Sequence, residues 1–255
     1  MSQEEILLAK MTWPEVEERL KQINIAIVPV GSTEQHGPAI PVDNDAFTAY
    51  TLARMAVERM SSPRPIITPP ISFGMSMHHM GFPGTITLRA ETLVEVVVDV
   101  CRSLVHHGFK KIVLMNGHGG NIPALEVAMY RTRNETGALV FLINWWELVG
   151  DVIKQLTEPP LFHADETETS VAMAIGQRVR REHLVREIPT TPIPEFLKVD
   201  LYAPPPAAHT PIDMKALTKS GVIGDATRAS EEKGRKIVEA VLERTVKFLE
   251  ELRNL

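Results

Sequence analysis

The sequence predicts an α/β fold, a three-layer α/β/α sandwich with a mainly parallel central sheet. Short apolar runs alternate with longer helical patterns, the order that builds a parallel sheet covered on both faces. The runs are rich in aliphatic and β-branched residues, and each is bounded by Gly, Pro or Asn, which punctuate strands.

Thr12-Trp13-Pro14-Glu15 is the first helix start. Thr12 can cap, Pro14 suits the first turn, and Glu15 stands three residues on, as in a capping box. Strands are expected at Ile25–Val30, Pro65–Ile71, Lys111–Met115 and Leu139–Ile143. Helices are expected at Asp45–Met60, Glu91–His107, Ile122–Asn134 and Glu166–Arg181. From about Thr227 to Leu252 runs an amphipathic helix with Ile237, Val241, Val246 and Leu249 facing the core. Residues 188–213 hold seven prolines and cannot form one helix. They read as a surface excursion or as a lid or subunit contact, since long loops in compact domains are usually functional.

The 255 residues, 44% hydrophobic, are enough for one large core, so residues 1–255 are expected to form a single domain. Net charge is −5 and no basic stripe stands out, which argues against nucleic acid and membrane surfaces as partners. The acidic start and the lack of any apolar run near 20 residues predict no signal peptide or membrane span, and a cytoplasmic location. Cys101 is the only cysteine and falls on the apolar side of a helical pattern, so it reads as core.

In open parallel sheets, ligands bind beyond the carboxyl ends of the strands. Three loops there carry metal-type side chains. The first, Gly31 to Pro38, holds Glu34 and His36, with Asp45 shortly after. Asp45 reads either as a ligand or as a helix N-cap, in competition with Asp43. The second, Asn116-Gly117-His118-Gly119-Gly120-Asn121, surrounds one histidine with glycines that allow a close approach of backbone to ligand. Asn121 is expected to cap the helix that follows. The third, Phe162 to Ser170, holds His163, Asp165, Glu166 and Glu168. A helix dipole accounts for Asp165 and Glu166 but less well for His163 and Glu168. Mixed nitrogen and oxygen donors suit Zn²⁺, Mn²⁺ or Fe²⁺, and a shared carboxylate suits a two-metal site. Ser76 and His79, in the segment Gly74 to Thr85, are expected to contact a substrate. Adjacent His78 and His79 should point differently. His106, His107, His183 and His209 read as helix-end or surface residues.

Four segments then carry a resemblance. Pro29 to Pro38, Phe82-Pro83-Gly84-Thr85, Asn116 to Asn121 and Glu166 to Ser170 resemble the creatininase (creatinine amidohydrolase) family, in order and over nearly the whole chain. Met11 to Glu15 and Gly221 to Gly234 also fit. The resemblance implies Glu34, Asp45 and His118 on one ion and His36, Asp45 and Glu168 on the other, commonly Zn²⁺ or Mn²⁺. It implies His163 as acid/base and a homohexamer. Two departures point to a branch other than creatininase proper. That enzyme has Tyr and Glu after the metal histidine, where this chain has Gly119 and Gly120. It also has a Trp before the catalytic histidine, where Leu161-Phe162 stand here. Trp146 is similar to another of its pocket tryptophans.

The expected activity is hydrolysis of a C–N bond in a small molecule (amide, cyclic amide or formamide) by metal-activated water. Backbone N–H groups of Gly119 and Gly120 would help hold the substrate. The alternatives are ring opening of a cyclic ketone such as an oxidised inositol, and a metal-binding protein without catalysis.

Overall fold

The computed structural model describes residues 4–189, 210 and 212–255. After helix α1 (Trp13–Leu20) the chain enters strand β1 (Ile25–Val30), buried along its full length. It continues through α2 (Asn44–Glu58), β2 (Ile66–Ile67), α3 (Ala90–His106), β3 (Lys111–Asn116), α4 (Ile122–Thr136) and β4 (Leu139–Asn144). A short α5 (Gly150–Leu156), α6 (Glu166–Ala174), β5 (Arg186–Glu187), α7 (Met214–Leu217), β6 (Gly224–Asp225) and the long α8 (Glu231–Arg253) complete it.

The main sheet has the order β2-β1-β3-β4 and every pairing in it is parallel. The chain leaves β1 toward β2 on one side and returns across it to β3 on the other. With right-handed crossovers this puts α2 on one face and α3 and α4 on the opposite face. The α3–α4 pair packs together, and α8 packs on α2 and α6. That is the expected sandwich. It also makes the C-terminal ends of β1 and β3 a topological switch point, where open sheets bind ligands. Arg186 and Glu187 pair antiparallel with Asp225 and Gly224 in a separate small ribbon.

Several boundaries depart from expectation, each for a local reason. Pro65–Ile71 shrinks to Ile66–Ile67, because Pro69 and Pro70 have no N–H to extend the ladder. Ile71 rejoins β1 only through a bridge to Val30. The helix from Glu166 stops at Ala174, before Gly176 at φ +81°. The last helix begins at Glu231, where the Ser230 side chain accepts the Lys233 N–H. Thr12 and Glu15 form the expected box, with the Thr12 N–H 2.6 Å from Glu15 Oε2. Cys101 is buried in the main core. The proline-rich excursion at 188–213 and His209 lie largely outside the described residues. Among the described residues, no helix is long and apolar enough to cross a membrane.

Candidate metal centre

The loop after β1 turns Glu34 inward by tying its own N–H to Val42 O at 2.9 Å. Asp45 follows in the first turn of α2, and Asp43 holds the cap position without a side-chain cap bond. Gly31 and Gly117 let that helix start wedge between the ends of β1 and β3. A Cβ on Gly31 would collide with Ala46 backbone, and one on Gly117 with Asp45 backbone. His118 stands two residues beyond β3. Its loop is held by Asn116, whose Nδ2 donates to His118 O at 2.8 Å and to Asn144 Oδ1 at 2.9 Å. Asn121 does not cap α4 with its side chain. Its Oδ1 accepts the Met75 N–H at 2.8 Å and its Nδ2 donates to Gly31 O at 3.0 Å. These buried carboxamides tie the ends of β1, β3 and β4 together.

Glu34, His36, Asp45, His118 and His163 are buried, and the Glu168 side chain is 18% exposed. His36 Nε2 lies 3.0 Å from Asp45 Oδ1 and 3.9 Å from Glu168 Oε2. His118 lies 3.1 Å from Glu34 Oε2 through Nε2 and 3.4 Å from Asp45 Oδ2 through Nδ1. His163 Nδ1 is 3.9 Å from Glu34 Oε1 and 4.0 Å from Glu168 Oε2. Three groups gather atoms within 4.8 Å: Glu34, Asp45 and His118; His36, His163 and Glu168; and Glu34, His79 and His163.

Orphaned atoms test whether a cation fits. Glu34 Oε1, His36 Nε2 and Asp45 Oδ2 are buried without a hydrogen-bond partner among the described residues. Such atoms are costly unless something pairs with them. Histidine orientation agrees. A carbonyl only accepts, so the ring nitrogen facing one carries the hydrogen. His36 Nδ1 faces Glu34 O at 3.2 Å, which turns the Nε2 lone pair toward Asp45 and Glu168. His163 Nε2 faces Gln35 O at 2.8 Å, which turns its Nδ1 lone pair toward Glu34 and Glu168. Backbone carbonyls orienting ring nitrogens are what metal-binding histidines use.

Electrostatics carries the same message. Burial disfavours charge on His36, but Asp45 and Glu168 outweigh it and raise its pKa to about 10. Burial is likewise outweighed at His118, which Glu34 and Asp45 lift to about 9. Burial pushes Glu168 up to about 8, with Asp165 and Asp45 adding to it and His36 opposing. The cluster therefore calls for positive charge, by proton or by cation. Burial holds His163 well below its ordinary value, with His79 and His36 adding to it, so it stays neutral.

The other expected contacts are placed as follows. Ser76 Oγ donates to Glu34 Oε2 at 2.5 Å and also meets Ser32 Oγ. His79 is buried, its ring centroid 4.4 Å from that of His163. His78 does point elsewhere, stacked on His118 at 5.5 Å. Gly119 and Gly120 open a 3-10 turn, where the first N–H groups have no intrahelical partner. Trp146 is buried in the main core, edge-on to Trp145, and makes no described contact with the carboxylate–histidine cluster. Asp165 caps α6, accepting from the Thr167 and Glu168 N–H groups at 2.7 and 3.0 Å. Sequence reading assigned nothing to Gln35, Asn116 or Asn144, since a buried carboxamide has no sequence signature apart from its partners.

Fold and site together define the class, an α/β protein with a buried carboxylate–histidine cluster suited to divalent metal ions. The creatininase family model, described as creatinine amidohydrolase, matches residues 9–249. A 3-dehydro-scyllo-inosose hydrolase of Thermotoga maritima is 33% identical, over 95% of this chain and 82% of that protein. A mycofactocin precursor peptide peptidase of Mycobacterium ulcerans is 32% identical, over 89% and 80%. The solved structure "Creatininase Mn" superposes with a TM-score of 0.81 at 27% identity, covering 97% of this chain and 98% of that one. The chain belongs to the creatininase family.

Proposed function

We propose that this chain hydrolyses a C–N bond in an amide, cyclic amide or formamide, using two divalent ions. Glu34, Asp45 and His118 would hold one, and His36, Asp45 and Glu168 the other, with Asp45 shared. The three orphaned atoms Glu34 Oε1, His36 Nε2 and Asp45 Oδ2 carry this reading. The nitrogen and oxygen donor set favours Zn²⁺ or Mn²⁺, with Fe²⁺ also suited. When bound, such a pair supplies a water of lowered pKa and a Lewis acid for a carbonyl oxygen.

The chain's own side chains supply the rest. His163 is neutral, with its Nδ1 lone pair facing Glu34 and Glu168, so it can take a proton from the attacking water and return it to the leaving nitrogen. Ser76 steadies Glu34, and the free N–H groups at Gly119 and Gly120 offer donors to a substrate. A second reading, ring opening of a cyclic ketone, is supported by the 33% identity to the inosose hydrolase. The exposed Val96 on α3, with Val127 and Tyr130 on α4, supports assembly into an oligomer such as a hexamer, which sedimentation of the purified chain tests. A cytoplasmic location remains part of this proposal.

Turnover decides between the readings. Zn²⁺- or Mn²⁺-loaded protein is assayed on creatinine, N-formyl amides, short peptides and cyclic ketones. Hydrolysis of a C–N substrate, abolished by His163→Ala with metal retained, is the expected result. Turnover of the ketone alone would replace the first reading by the second.

A further inference from the structure

Gln35 lies between two residues expected to serve different ions, and its side chain has a complete set of partners. Oε1 accepts the Gly37 N–H at 2.9 Å. Nε2 donates to Gly221 O at 3.1 Å. Both contacts orient the carboxamide the same way, because an N–H can only donate and a carbonyl can only accept. The second Nε2 hydrogen is left for His79 Nδ1, 2.8 Å away. Gly221, at φ +91°, makes the seat possible, since a Cβ there would collide with the Gln35 carboxamide.

This fixes His79 in the sense opposite to its neighbours. Carbonyls hold hydrogens on the outer nitrogens of His36 and His163 and leave lone pairs facing inward. Gln35 gives its own hydrogen to His79 Nδ1, so a neutral His79 carries its hydrogen on Nε2. That nitrogen lies 3.4 Å from Glu34 Oε1 without a hydrogen bond to it, beside His163, so its hydrogen is left free. The Glu34–His79–His163 group looks by distance like a third cation site. The N–H on His79 Nε2 makes it a donor instead.

We propose that Gln35 is a positioning residue whose carboxamide locks His79 as the Nε2–H tautomer, so that His79 donates a hydrogen bond to the carbonyl oxygen of the bond being hydrolysed. The substrate half of this rests on the C–N hydrolase reading above; the tautomer half does not. A fixed donor aimed where negative charge develops is worth about 100- to 1,000-fold in kcat.

Solid-state ¹⁵N NMR of histidine-labelled, Zn²⁺-loaded protein reads the tautomer directly, with His79→Gln identifying the His79 signals. The expected wild-type spectrum has His79 Nε2 protonated and Nδ1 bare. Gln35→Glu, which offers an acceptor in place of the donor, moves the hydrogen to Nδ1. Gln35→Met, uncharged and of similar length, gives a mixture and serves if the glutamate variant does not fold. On a C–N substrate of the wild type, these variants lose about 100-fold in kcat, with KM within about threefold and bound zinc unchanged. A wild-type His79 protonated at Nδ1 overturns the proposal, as does loss of zinc from both variants or unchanged kcat. Wild-type protein with the expected tautomer but no C–N hydrolysis overturns the hydrolase reading and with it the substrate half alone.

Discussion

Glu166 and Glu168 stand two residues apart in the first turn of one helix, yet their surroundings are opposite. Glu166 is buried and answered from within the chain. Lys233 pairs with it, the Glu158 N–H reaches it at 3.1 Å, and Arg228 Nε approaches to 3.9 Å. Among the described residues, Glu168 Oε2 accepts only the Ala164 N–H, at 2.5 Å, with no cation of the chain paired to it beyond His36 at 3.9 Å, and it faces a group in which Asp45, Glu34 and His36 each leave an atom without a partner. Both carry the same local signal, an acid at a helix start. A buried carboxylate matched by a cation of its own chain serves the fold. On the proposed two-ion reading, one facing other carboxylates would meet a cation from outside.

The sharpest way to break this contrast is Asp45→Asn, which keeps shape and removes charge. Losing even a supporting partner of a ligand costs about 10- to 100-fold in metal affinity. Asp45→Asn is therefore expected to lose more than about 100-fold, read by chelator competition and metal analysis. Metal retained at wild-type affinity would remove Asp45 from the centre.

At the Glu166 pair the effect should fall on stability instead. Lys233→Met removes the closest cation from a buried carboxylate, leaving it the Glu158 N–H and the more distant Arg228, and is expected to cost about 3 kcal/mol in urea denaturation of metal-free protein. The double variant with Glu166→Gln should recover most of that. A single-variant cost below about 1 kcal/mol would show Glu166 to be indifferent to its partner.

Glu168→Gln sharpens the comparison in the other direction. Metal-free protein should gain about 1 kcal/mol, because a carboxylate disfavoured by burial and crowded by Asp165 and Asp45 is relieved, while metal affinity falls. A loss of metal-free stability would mean that Glu168, like Glu166, is satisfied from within.

The smallest effect is expected at Glu187, outside the cluster. Burial alone would raise its pKa, but Ser220, the Lys219 and Ser220 N–H groups and Thr218 hold it at about 2. A depressed carboxylate contributes stability above its unfolded value near 4.5, lost as pH falls toward 2. In metal-free protein, the Tm gap between wild type and Glu187→Gln should be full at pH 7 and close between pH 4.5 and 2. A gap that persists at pH 2 would assign the effect to packing.

The sheet was legible because its strands are continuous aliphatic runs. Ile25–Val30 forms as expected, and β3 and β4 each extend one residue past expectation, to Asn116 and Asn144. Residues that converge only in space were less legible. The partner of Glu166 is 67 positions away at Lys233. Asn121 looked like a helix cap because its chain position is that of one, while its carboxamide reaches Met75 and Gly31 instead. Gln35 is polar in the sequence and becomes informative only once Gly221 and His79 are beside it. Ligand roles came from family resemblance; spacing alone left Asp45 open between ligand and cap.

The strand order also bears on how such a protein changes over time. Glu34, His36 and His118 sit on loops after β1 and β3, at the switch point, braced by a carboxamide network that belongs to the sheet. Met75 to Met80 and the segment before α6 approach that centre from other parts of the chain. Substitutions in those outlying segments can thus change the walls around the cluster while leaving the sheet-anchored loops in place. Two relatives, each about one-third identical to this chain, are named for an inosose and for a peptide.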